Sequence, residues 1–118
     1  MTAEAAAAKR KEIATDIRAD AAKLANPAKP MAEFYRLAES LYYDQDPAIL
    51  TKVEETAGQY VASLKALSGE QLTAKKDEAR HLRDVLNYLA RWKVIEANFA
   101  AKADLDQIIK DQNWDKKN

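Results

Sequence analysis

Apolar residues recur at steps of three and four along most of this chain and nowhere alternate singly with polar ones. That is the period of an α-helix, so five helical segments and no strand are expected. The plainest is 47–67, where Leu50, Val53, Ala57, Tyr60, Leu64 and Leu67 form an unbroken seam. Asp46 suits its N-cap and Pro47 its first position, because a carboxylate accepts from the free N–H groups of a first turn and proline has none to lose. Ser68-Gly69 closes it. Before it, 31–43 carries Met31, Phe34, Leu37, Ala38 and Leu41 on one side. The first segment, 2–25, can be capped by Thr2 and has a thin stripe of Ile13, Ile17, Ala21 and Leu24. Residues 1–12 offer little but alanine for burial and are expected as a frayed helical arm. Asn26-Pro27-Ala28-Lys29-Pro30 separates the first two segments, with Pro30 fitting the first turn of the second.

Ser68 and Gln71 have capping-box spacing, which opens a long fourth segment over 70–101. Its wide apolar face runs from Leu72 through Leu82, Leu86 and Leu89 to Trp92, Val94 and Ile95. A final short helix is expected from Asp104, with Gln107 completing a second capping box and Leu105, Ile108 and Ile109 pointing inward. Residues 113–118 then form a polar tail. Loops of a few residues make consecutive helices antiparallel neighbours. The expected fold is all-α: an up-and-down four-helix bundle with a short additional C-terminal helix, one domain over residues 1–118.

Composition narrows the function more than the fold. With 118 residues, 47% hydrophobic and 32% charged, the chain can bury a core. Nineteen cations balance nineteen anions, so no global field draws it to nucleic acid or an anionic membrane. Cysteine is absent, which removes thiolate chemistry and cysteine-based metal sites. No apolar run has the roughly 18 to 20 residues that cross a bilayer. The N-terminus carries charges where a signal peptide needs its apolar stretch. A soluble compartment is therefore expected: cytoplasmic as written, or a lumen if a targeting segment has been removed.

Candidate chemistry is sparse. Asp77, His81, Asp84 and Tyr88 step by four, three and four, so the only histidine stands between two carboxylates on one helix face. Such a trio could hold a metal or form an acid–base pair, and a small-ligand or metal-binding bundle centred on His81 is the first alternative function. One histidine is thin support, however, and a solvated face with local ion pairs is preferred. Beside it runs Lys76, Arg80, Arg83, Asn87 and Arg91, a stripe that could meet a phosphate backbone or an acidic protein. No stacking aromatics interleave with it, so nucleic acid ranks below protein as a partner. Glycine-rich phosphate loops, nucleophile elbows and paired histidine motifs are all missing. A non-enzymatic protein without cofactor is expected.

The aromatic residues suggest where a protein partner would bind. Tyr35 and Tyr42 lie off the core stripe of their helix, Tyr43 follows at its end, and Asp44-Gln45-Asp46 adds acidic groups beside them. Trp114, isolated in the polar tail, either folds back or anchors to a partner. The candidate contact set is thus Tyr35, Tyr42, Tyr43, Asp44, Asp46, Arg80, Arg83, Arg91 and Trp114.

Asp46-Pro47, Gly58-Gln59-Tyr60-Val61 and Arg83-Asp84-Val85-Leu86-Asn87-Tyr88-Leu89-Ala90 together resemble the small extrinsic four-helix subunits of photosystem II over roughly residues 44–92. That resemblance implies a lumenal, non-catalytic subunit that docks on a membrane complex and stabilises it. It carries over no site residues.

Overall fold

A computed structural model of the protein describes residues 2–115. Its elements are six helices: α1 (Ala3–Lys23), α2 (Pro30–Tyr43), α3 (Pro47–Lys65), α4 (Gly69–Thr73), α5 (Lys76–Arg91) and α6 (Ala100–Asp111). No strand occurs among the described residues. No described helix is long and apolar enough to cross a membrane. The chain divides into two compact units, 1–56 and 57–118, and the division falls inside α3.

In the first unit the helix starts follow the local chemistry. Thr2 Oγ1 accepts from the Ala5 N–H at 3.1 Å, and Asp46 Oδ1 accepts from the Ala48 N–H at 2.8 Å, ahead of Pro47. Pro30 is the first residue of α2. Met31, Phe34, Leu37, Ala38 and Leu41 are buried, as their spacing requires. α1 contributes less than expected. Ala14 and Ala21 are its buried residues, Ile13 and Ile17 are half-buried, and Leu24 is 43% exposed because α1 ends at Lys23 and leaves Leu24 at its cap. Polar ties supplement this thin apolar face. Asp20 meets Arg36 at 3.6 Å, Arg18 meets Ser40 and Asp44, and Arg10 meets Tyr42. These contacts descend α1 while broadly ascending α2, as antiparallel neighbours must.

The second unit departs from the single long helix expected over 70–101. α4 stops at Thr73 and α5 begins at Lys76, with the Lys75 N–H bonded to the Leu72 carbonyl at 2.9 Å. α5 then ends at Arg91 in a Schellman turn. Lys93 takes φ 61°, the Val94 N–H donates to Leu89 O at 2.9 Å, and the Lys93 N–H donates to Ala90 O at 3.0 Å. Leu89 and Val94, which the motif brings together, are both buried. The apolar residues expected to continue the helix instead turn a corner: Val94 and Ile95 are buried, while Trp92 is 50% exposed.

Neither expected capping box forms here. Ser68 makes no side-chain cap bond, and the last helix starts at Ala100 with Phe99 at its cap. Gln107 instead donates to Asp111 at 2.7 Å. α6 closes with a second Schellman turn, in which Asn113 has φ 57°, the Trp114 N–H bonds to Ile109 O and the Asn113 N–H to Lys110 O, both at 3.1 Å. Leu82, Leu86, Leu105, Ile109 and Trp114 are buried. The expected polar tail therefore fails over 113–115, since its tryptophan is core. Its remaining part, 116–118, lies outside the described residues.

Candidate protein-docking surface

Within the first unit, the tyrosine edge of α2 is engaged by the chain's own first helix. Tyr42 and Tyr43 are half-buried and meet edge to face, ring centroids 5.1 Å apart. The Arg10 guanidinium carbon sits 5.1 Å from one ring and 5.4 Å from the other, and Arg10 donates to the Tyr42 carbonyl at 2.5 Å. Asp44 accepts from Arg18 Nη1 through Oδ2 at 3.0 Å, and its carbonyl accepts from Nη2 at 2.6 Å. Arg18 Nε donates to Ser40 Oγ at 3.0 Å, and that fully buried hydroxyl donates to Leu37 O at 2.6 Å. The helix spacing explains the reach: Arg10, Ala14, Arg18 and Ala21 lie on one face, small residues permitting close approach and arginines spanning it. Tyr35 is half-buried and meets Phe34 edge-on at 5.3 Å. Asp46 caps α3. These five residues thus have roles inside the unit.

Within the second unit, the basic stripe of α5 is partly neutralised. Asp115 receives a hydrogen bond from Arg83 Nη1 at 2.5 Å and stands 3.7 Å from Arg80 Nε. Asp84 adds a contact to Arg83 Nε at 3.3 Å. The hydrogen bond from Arg83 holds the Asp115 carboxyl below its ordinary range, with the charges of Arg83 and Arg80 acting the same way against desolvation. Reciprocally, that bond raises the Arg83 pKa. Two of the four cations expected to meet a phosphate backbone therefore face a carboxylate of this chain. Trp114, the residue before Asp115, is 5% exposed and takes the fold-back alternative. It is no exposed anchor.

A cleft of about 400 Å³ opens beside this cluster, lined by Arg83, Asp106, Ile109, Lys110, Asn113 and Asp115. Its walls are two cations, two carboxylates, an amide and one aliphatic group.

The outward face of α5 carries the remaining candidates. Asp77, His81 and Asp84 are all exposed along it, and among the described residues no three His, Cys, Asp or Glu side chains are grouped to hold a metal ion. Further along the same face, Tyr88 and Trp92 are 49% and 50% exposed, with ring centroids 6.0 Å apart at 57°. Arg91 and Lys93 flank them, both exposed, and neither forms an ion pair among the described residues. Sequence spacing placed Trp92 in the core because it lies three residues after Leu89. The missed signal was the equally helical spacing to Tyr88, four residues before, which continues the charged stripe from Asp77.

No protein-family model, no curated protein and no solved structure matches the chain.

Proposed function

We propose that this chain is a non-enzymatic accessory or adaptor subunit that docks on a larger protein assembly through the outer stripe of α5. The up-and-down bundle expected from its short loops belongs to the same proposal. The observation that carries it is the Tyr88–Trp92 pair, two large rings each half in water at the end of a charged helix face. Tryptophan, tyrosine and arginine dominate the energetics of protein interfaces: the two aromatics bury much area with few rotors and keep a polar tip for orientation, and arginine offers a planar fork of donors. Arg91 supplies the third member of that set on the same face. A balanced net charge gives no long-range steering, so recognition depends on such a local patch. The narrower form, an extrinsic subunit of a photosystem II-type membrane complex, rests on the sequence resemblance over 44–92 and on no structural feature.

The test compares proteins recovered from cells by the tagged chain and by its Trp92→Ala variant. The variant is expected to lose partners that the unchanged chain retains while keeping the same helical signal and melting transition. Recovery of the same partners in the same amounts by both would remove α5 as the docking surface.

A further inference from the structure

The outer stripe of α5 has a polarity that a general docking face does not need. Asp77 stands at its start, His81 and Asp84 follow, and Tyr88, Arg91 and Trp92 occupy its end, all exposed. At about 1.5 Å per residue the stripe runs for roughly 22 Å. Asp77 and Arg91 form no ion pair among the described residues. Acid at the start and base at the end also suit the dipole of the helix itself, but that requires no exposed aromatic pair.

We infer that the occupant of this stripe is α5 of a second copy of the chain, packed antiparallel about a twofold axis at Asp84. This deepens the docking proposal and rests on it. A twofold axis there brings Asp77 of each copy to Arg91 and Trp92 of the other, and His81 of each to Asn87 and Tyr88 of the other. The pattern is self-complementary, which is the condition an isologous interface must meet. The one like-charge encounter, Asp84 with its own copy, is softened in each chain by Arg83 Nε at 3.3 Å. Antiparallel packing also sets opposite dipole ends of the two helices side by side. Four turns of one helix against four of another make an interface at the small end of the specific range, so association is weak and concentration-dependent.

Sedimentation velocity on the full chain, from about 10 µM to about 1 mM, covers the range in which so small an interface assembles. The mass is expected to rise toward twice the monomer. Asp77→Arg and Arg91→Asp should each weaken association at least about tenfold by facing like charges, and the double variant should regain wild-type behaviour within about threefold. Trp92→Ala should weaken it by a similar factor, with the helical signal unchanged in every variant. A wild-type chain that stays monomeric throughout overturns the second copy as occupant. So does a double variant that fails to recover, or self-association indifferent to Trp92. If the monomeric chain still recovers other proteins in a Trp92-dependent manner, this inference falls while docking on an assembly stands. Loss of that dependence as well would remove both.

Discussion

Trp114 and Ile109 are joined through the backbone at the end of α6: the Trp114 N–H donates to the Ile109 carbonyl at 3.1 Å, and the side chains of both residues are buried. The backbone bond closes the end of α6 in a Schellman turn, and the indole of the residue that makes it is buried rather than left in water. Trp114→Ala is therefore expected to lower unfolding free energy by about 3–5 kcal/mol, the cost of emptying a large buried site. Urea denaturation checks it. A loss below about 0.5 kcal/mol would return Trp114 to the surface.

The same turn at the end of α5 places a lysine where glycine is the usual residue. Lys93 has φ 61°, a conformation in which a Cβ meets the neighbouring carbonyl. Lys93→Gly should stabilise the protein by about 0.5–1 kcal/mol, the relief of strain less the added freedom of the unfolded chain. An upward shift in melting temperature is the readout.

Arg10 and Arg18 both tie α1 to α2, with unequal consequences. Arg18 is largely buried and bonds a buried hydroxyl, a carboxylate and a carbonyl. Arg18→Ala should cost about 2–3 kcal/mol, as charge-assisted bonds are lost and Ser40 keeps only its donor contact. Arg10 makes one carbonyl bond and two ring contacts at an exposed site, so Arg10→Ala should cost less than about 1 kcal/mol. Equal losses in thermal or chemical unfolding would contradict this ranking.

How much was legible in the sequence follows from where each determinant lies. Pro30 and Asp46-Pro47 are local chemistry, and α2 and α3 begin where they specify. The seam of α3 showed likewise, with Val53, Ala57 and Leu64 buried. The break between α4 and α5 falls at Ala74-Lys75, which has neither glycine nor proline, and Lys93 gives no sign of a left-handed turn. Continuous helix was the natural inference there, and it sent Trp92 into the core. On the candidate surface, the face from Asp77 to Tyr88 was legible as exposed from its period alone. The engagement of Tyr42, Tyr43 and Asp44 was not, because Arg10 and Arg18 lie far from them in the chain, 32 residues for Arg10 and Tyr42 and 26 for Arg18 and Asp44, and only tertiary packing unites them.

Asp115 gives the stability a pH dependence of known sign. Its carboxyl is held below the ordinary value of 3.8 by Arg83, so the folded chain binds the proton less readily than the unfolded one. The stabilisation is fully present above that ordinary value and fades as pH falls through the lowered one. Asp115→Asn should melt below wild type at neutral pH, and the difference should shrink below about pH 4. A difference that grows in acid would mean the pair is not formed.

Docking through α5 requires Trp92 to leave water on assembly while Trp114 stays in the core, and labelling both tryptophans with 5-fluorotryptophan follows the two rings separately. Fluorine resonances of exposed rings move when water is exchanged for deuterium oxide, and those of buried rings do not. In the dilute chain the Trp92 resonance should show this solvent shift and the Trp114 resonance should lack it, as their 50% and 5% exposures require. In the assembled protein, whether self-associated or bound to recovered partners, the Trp92 shift should disappear and Trp114 should be unaffected. A Trp92 resonance that keeps its full solvent shift after assembly would place the docking surface away from Trp92.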